Sequence, residues 1–157
     1  MKKITLYFIS ALIILICIVG IIFILSKYNN KVLTNNTFIK KMKNLNFEIY
    51  DAKKQFGDDI IKSATVAYTS NYQIEFIVFK DVDSAKNAFV INKENFASNK
   101  TENDIEKSNS NDSYSLYYLT TSDKYMYVKR INNSLLYLDV DGSYKKDVDA
   151  VIKRLKY

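Results

Sequence analysis

Asp51, Asp58 and Asp59, grouped around Gly57, are the residues whose type and spacing come nearest to a chemical site. Hard divalent cations prefer carboxylate oxygens, so such a group could hold one, but the spacing matches no calcium loop and a solvated turn explains it without further assumption. The run Asp139, Asp141, Gly142 reads as a strand end leading into a helix cap. Histidine is absent from all 157 residues, which removes the commonest general base and the commonest zinc and copper ligand together. A serine nucleophile would then need a lysine, and Ser63 beside Lys62 and Ser84 near Lys86 carry no supporting motif. The glycines Gly20, Gly57 and Gly142 are too scattered to build a phosphate-cradling turn. No catalytic residue, metal ligand or cofactor site is therefore expected.

Two other groups suit contact rather than chemistry. Tyr114, Tyr117, Tyr118, Tyr125, Tyr127 and Tyr137 crowd one stretch of predicted strands, where period-two alternation puts Tyr125 and Tyr127 on one face with Lys129. Tyrosine marks many contact surfaces, and it is also a good strand residue whose ring packs across neighbours, so the group is either an interaction surface or part of the core. Lys40, Lys41 and Lys43 lie on the first helix after the apolar N-terminal segment. They form either a solvated helix face or a basic face held against anionic lipid.

That apolar segment decides the class of protein. Residues 4–25 run 22 positions without a charge, and at about 1.5 Å per residue such a helix crosses a hydrocarbon core of about 30 Å. A buried helix of equal length would need apolar surroundings on every side, which a domain of this size rarely supplies. The segment is longer than a secretory signal core, and bulky Ile24 stands where a cleavage site needs a small residue, so an uncleaved signal anchor is expected. Ile16 before Cys17 does not fit a lipoprotein signal, and Met1 to Phe8 offer neither the glycine nor the acid of a type IV pilin. The only cysteine, Cys17, lies inside the anchor, so no intramolecular disulfide forms. Lys2 and Lys3 ahead of the apolar run place the N-terminus inside and the domain outside the cytoplasm, although Lys27, Lys31 and the lysines beyond vote the other way.

The formal charge is +6, and discounting Lys2 and Lys3 leaves 21 basic against 17 acidic side chains, a difference of +4. Both signs are interspersed, with no concentrated basic stretch of the kind that marks a nucleic-acid binder, so nucleic acid is not an expected partner. The chain has no Pro or Trp and is heavy in Asn, Ile, Lys and Tyr. That skew fits the AT-rich codons of a low-GC bacterium.

After the anchor, residues 26–36 read as a polar tether, and 37–157 as one α+β domain. The spacing of Phe38, Ile39, Met42 and Leu45 predicts a helix over 37–45 capped by Asn36 or Thr37. A short strand at 47–49 and an irregular or partly helical link over 51–62 follow. Strands at 64–69 and 72–79 are joined by Ser70-Asn71, with Tyr72, Ile74, Phe76 and Val78 on one face. Asp81 and Asp83 favour the start of a helix over 84–96. Residues 97–113, with Ile105 as their one large apolar side chain, read as a long surface loop. A meander at 114–120, 124–131 and 135–140 follows, its second turn an Asn132-Asn133 pair suited to type I′. A helix over 144–155, capped by Ser143, ends the chain. The expectation is an antiparallel sheet of five to six strands with about three helices on one face. A hairpin followed by a helix occurs twice, a weak hint of duplication.

Anchor and domain together, notably IEFIVFKDVDSAKNAF at 74–89, resemble the small uncharacterised, N-terminally membrane-anchored envelope proteins of low-GC Gram-positive bacteria. The resemblance implies class and location, with no activity to carry over. The expected function is a non-enzymatic binding or accessory role of an extracytoplasmic domain in the cell envelope, in contact with membrane and with a protein partner or other ligand. The rivals are a histidine-free or metal-dependent envelope enzyme and a cytoplasm-facing, membrane-tethered adaptor. The full chain is expected to stay in the membrane pellet through a carbonate wash; recovery as a freely dissolved monomer without detergent would overturn the anchor.

Overall fold

The computed structural model describes residues 32–56 and 59–157. The anchor at 4–25, together with Gly57 and Asp58 of the acidic group, lies outside the described residues. No helix among the described residues is long and apolar enough to cross a membrane.

The domain is α+β. Its elements run α1 (Asn35–Lys43), β1 (Glu48–Asp51), α2 (Lys53–Phe56), β2 (Ile61–Tyr68), β3 (Gln73–Phe79), α3 (Val82–Ala97), β4 (Ile105–Ser110), β5 (Tyr114–Thr120), β6 (Lys124–Ile131), β7 (Ser134–Asp141), a 3-10 turn (Gly142–Tyr144) and α4 (Lys145–Leu155). The strands form one antiparallel sheet in the order β1-β2-β3-β7-β6-β5-β4. The sheet therefore has seven strands where five to six were expected.

The added strand is β4, inside the stretch expected to be a loop. All six of its side chains are exposed, and it pairs with β5 from Ile105↔Thr120 to Ser110↔Ser115. An edge strand that buries neither face needs only backbone hydrogen bonds, so no hydrophobic alternation announces it.

The helices do not share one face. Along β3, Ile74 and Phe76 belong to one apolar cluster with Phe38 and Met42 of α1 and Val148, Val151 and Leu155 of α4. Ile77 and Phe79 belong to another with Ala85, Phe89 and Phe96 of α3. Thus α1 and α4 cover a first face and α3 a second. The physical reason is two-sided burial: β6 buries Tyr125 and Tyr127 on the first face and Met126 and Val128 on the second. Such strands read as near-continuous apolar runs and require cover on both sides. Phe38 stacks on Phe76 with centroids 5.1 Å apart, and Tyr157 meets Phe76 edge-on at 5.5 Å.

Local chemistry sets the ends of the elements. The cap of α1 is Thr34, whose hydroxyl accepts from Thr37 N at 3.2 Å, and Leu33 is buried, so the folded domain includes part of the expected tether. Asp81 caps α3, accepting from Ser84 N at 2.6 Å and Ser84 Oγ at 2.9 Å. These bonds hold its pKa below the usual carboxylate value. Asp141, rather than Ser143, supplies the cap before α4, by accepting from Ser143 N at 2.8 Å. In the β6–β7 turn Asn132 takes φ 51° and Asn133 has no positive φ, so the doubly left-handed type I′ turn is not formed. The Ser70-Asn71 hairpin is as expected, with Tyr68 opposite Gln73.

The hint of duplication fails on symmetry. A two-fold axis relating adjacent antiparallel strands β3 and β7 stands perpendicular to the sheet and keeps each face on its own side. The helices that follow those strands, α3 and α4, lie on opposite faces.

Tyr125 ties α4 to the sheet: its hydroxyl, on a ring 2% exposed, donates to Asp149 Oδ1 at 2.8 Å. Tyr125→Phe keeps the ring and removes that bond, and is expected to lower stability by about 1 kcal/mol in urea unfolding. An unchanged midpoint would show that Asp149 contributes nothing to holding α4.

Candidate interaction surfaces

The six tyrosines singled out in the sequence divide between the two faces. Tyr114, Tyr118, Tyr125 and Tyr127 lie on the first face with α4, whereas Tyr117 and Tyr137 lie on the second. Tyr117, Tyr125 and Tyr127 are buried. Burial, then the Asp149 carboxylate, drives the Tyr125 hydroxyl pKa far up; burial, then the nearby Glu106 carboxylate, raises that of Tyr117 to about 12. Lys129 does share the face of Tyr125 and Tyr127. It contacts the Tyr157 carbonyl oxygen and sits 5.3 and 5.4 Å from the ring centres of Tyr114 and Tyr157. Cross-strand packing explains this group, under α4 for Tyr114, Tyr118, Tyr125 and Tyr127 and on the α3 side for Tyr117, and only Tyr137 borders open sheet.

The open sheet is on the second face: α3 packs with Ile61, Ala64, Ile77 and Phe79 at one end of β2 and β3 and leaves bare the other end, with Val66, Tyr68 and Glu75, and the neighbouring β1. By register, Glu48 and Tyr50 of β1 lie opposite Tyr68 and Val66 of β2, and Glu75 of β3 stands between Val66 and Tyr137. Tyr50 and Tyr68 are 48% and 37% exposed. Both rings are held by local bonds: Tyr68 Oη donates to Glu48 Oε2 at 2.7 Å, and Tyr50 Oη accepts from Gln55 Nε2 at 3.3 Å. Tyr137 stacks on Phe96 at 5.3 Å, and burial, then Asp139 and Glu75, pushes its pKa up to about 12. Asp139 pairs with Lys124 at 3.1 Å. Three carboxylates, Glu48, Glu75 and Asp139, thus stand among exposed or half-buried tyrosine rings, an arrangement that suits a cationic side chain over a ring face. Sequence reasoning missed Tyr50 and Tyr68, because nothing local signals which part of a sheet a helix leaves bare.

A second surface forms where α1 meets α4. Lys41 Nζ donates to the carbonyls of Leu155, at 2.6 Å, and Arg154, at 3.3 Å. A cation there satisfies orphan carbonyls at the negative end of α4. Partial burial, then the charge of Lys156, lowers the Lys41 pKa. Lys40 and Lys43 on α1 and Lys153, Arg154 and Lys156 at the end of α4 are exposed on the helices of this same layer. Lys40, Lys41 and Lys43 are marked in the sequence as a basic face, whereas Lys153, Arg154 and Lys156, more than a hundred positions away, read there only as cations suited to the negative end of the last helix.

Arg130 is 1% exposed and donates to the carbonyls of Asn132, Asn111 and Asp112 and to Ser115 Oγ at 3.1–3.2 Å, clamping two turns together. It borders a groove of about 400 Å³ beside α3, also lined by Lys86, Phe89, Val90 and Lys93. A smaller groove of about 250 Å³ is bordered by Asp104, Asp123 and Asp139. Asp104 accepts from Thr101 N, and Asp123 from Thr121 Oγ1, so these acids serve turns. Among the described residues no three acids, cysteines or histidines gather closely enough to hold a metal ion.

No protein-family model and no curated protein matches the chain. Among solved structures, a crystal structure of a GTP binding regulator from Thermotoga maritima aligns with a TM-score of 0.48 and 11% sequence identity, covering 78% of this chain and 84% of that one.

Glu75 gives the bare half-sheet a pH signature. Burial raises its pKa above 4.5, with the bond from Gln73 Nε2 opposing. An acid whose folded pKa is raised stabilises the fold below its unfolded pKa, and that contribution is lost as pH rises through the folded value. Glu75→Gln should therefore raise the melting temperature at pH 7 and gain nothing at pH 3.5. Equal gains at both pH values would assign the effect to packing instead.

Proposed function

We propose that this chain is a membrane-anchored, extracytoplasmic domain of the cell envelope that works by binding, without chemistry of its own, and that the bare half of its sheet is the contact surface. The observation that carries this reading is the acidic, tyrosine-bearing patch of Tyr50, Val66, Tyr68 and Tyr137 with Glu48 and Glu75. Tyrosines offer large, stiff contact area at low entropic cost, and here several are already fixed by hydrogen bonds or stacking. Carboxylates between them favour a partner protein that presents lysine or arginine. The uncharged run at 4–25 supports the anchor, and Lys2 and Lys3 ahead of it support the external placement.

The test is photocrosslinking in intact cells that produce the full chain, with a crosslinking amino acid at Tyr50 or Tyr68 and, as a control, at Lys146 on the opposite helix layer. Protein adducts are expected from the first two positions and not from the third, and a Glu48→Lys, Glu75→Lys background should remove them. External protease should cut the domain before lysis. Adducts that ignore position would overturn the contact surface, and protection from protease until lysis would overturn the external placement.

A further inference from the structure

We infer that the α1–α4 layer is a docking face for an anionic bilayer surface, so that the domain lies on the membrane by its first face and presents the bare half-sheet away from it. The inference rests on the membrane anchor of the proposed function and deepens it.

Three observations carry it. Lys40 and Lys43 of α1 and Lys153, Arg154 and Lys156 at the end of α4 are all exposed on the two helices that cover the same face of the sheet, and Lys41 ties the two helices by its bonds to the Arg154 and Leu155 carbonyls. Among the described residues none of the five has a carboxylate within salt-bridge distance, although most other exposed parts of the domain mix both signs. The acids of α4, Asp147 and Asp149, are in its first half, where Asp149 takes the Tyr125 hydroxyl and Lys145. An unpaired cluster of this kind carries a repulsion that an anionic surface relieves.

The second observation is the sign of the other side. Glu48, Glu75 and Asp139 lie on the second face, across the sheet from this layer. The second side mixes signs, with Lys124 paired to Asp139 and Lys86 and Lys93 on α3, so an anionic plane favours the first side over it. The third is reach. Leu25 ends the uncharged run and Leu33 is already packed in the core. The intervening residues span at most about 3.5 Å each, so the domain stays within about 30 Å of the end of the apolar run. The tether keeps the face within reach of the bilayer, and because the Debye length is about 8 Å at physiological salt the attraction acts only once the face lies against the lipid.

The occupant is lipid, and soluble polyanions of like charge become a control. Full-length chain, with Cys17→Ser, would be reconstituted into bilayers that are wholly zwitterionic or carry about a third phosphatidylglycerol, with headgroup spin labels as quenchers. A fluorophore is placed at Asn44→Cys, beside the basic layer, or at Gln73→Cys, on the bare half-sheet. In anionic bilayers quenching is expected at position 44 and not at 73, and the contrast should vanish in zwitterionic bilayers or at 0.5 M salt. Each of Lys40→Gln, Lys43→Gln, Lys153→Gln and Arg154→Gln should lower the docking equilibrium about five-fold, or about 1 kcal/mol per charge. Circular dichroism melting of each variant separates this from lost folding.

Equal quenching at the two positions, or a contrast that ignores lipid charge, overturns the inference and leaves the anchor standing. So does displacement by a short DNA duplex or polyphosphate combined with indifference to lipid. Failure of the chain to enter bilayers at all overturns the anchor itself, and with it the proposed function.

Discussion

Strands β3 and β7 meet over only four residue pairs, from Glu75↔Tyr137 to Val78↔Ser134, yet this seam joins everything before it in the chain to everything after α3. Phe76 opposite Leu136 serves the first-face core, and Ile77 opposite Leu135 serves the second. Without the seam the sheet would fall into a three-stranded and a four-stranded piece, each with both faces too wide for the helices left to cover them. Partners at the seam are about 60 positions apart, so their pairing closes a long loop and must be repaid by burial on both faces at once. That is why Phe76, Leu135, Leu136 and Ser134 at the seam are among the most deeply buried residues described in the domain.

Two-sided burial at the centre has a consequence at the margins. Three long helices cannot cover two faces of seven strands, and two of them are spent on the first face, where Phe38 and Val148 pack into one cluster. The second face receives α3 alone. Its uncovered half is where tyrosines and carboxylates replace aliphatic side chains, as at Tyr50, Tyr68 and Glu75. A patch that is half apolar and half charged tolerates water while keeping contact area available, which a purely aliphatic surface would do at the risk of aggregation.

How far the sequence reveals this depends on which interactions are local. The strands 114–120 and 124–131 and the cap at Asp81 are legible because alternation and capping act within a few residues. The strand at 105–110 is not, since it buries no side chain and depends on β5 for its existence. The tyrosine group is legible as strand material and illegible as surface: Tyr125 and Tyr50 are the same residue in similar strands, and only the position of α4 makes one core and the other contact. Helix placement on both faces was written in the near-continuous apolar run of β6, which calls for cover on each side.

Charge shows the same limit most sharply. A net +4 after the anchor, with signs interspersed, describes a mildly basic chain with no concentrated face. Folding sorts those charges. Lys41, Lys129 and Arg130 are drawn inward and spend their donors on carbonyl oxygens at helix and turn ends, where a cation neutralises partial charge rather than a carboxylate. Acids gather on the bare half of the second face. On α1 and the last turn of α4 what remains is Lys40, Lys43, Lys153, Arg154 and Lys156 with no carboxylate in salt-bridge distance among the described residues, drawn from segments more than a hundred positions apart, while the acids of α4 stay in its first half. The electrostatic character of the surface is therefore a product of topology, because the fold lays α1 and α4 on one face and so puts their exposed cations in one layer.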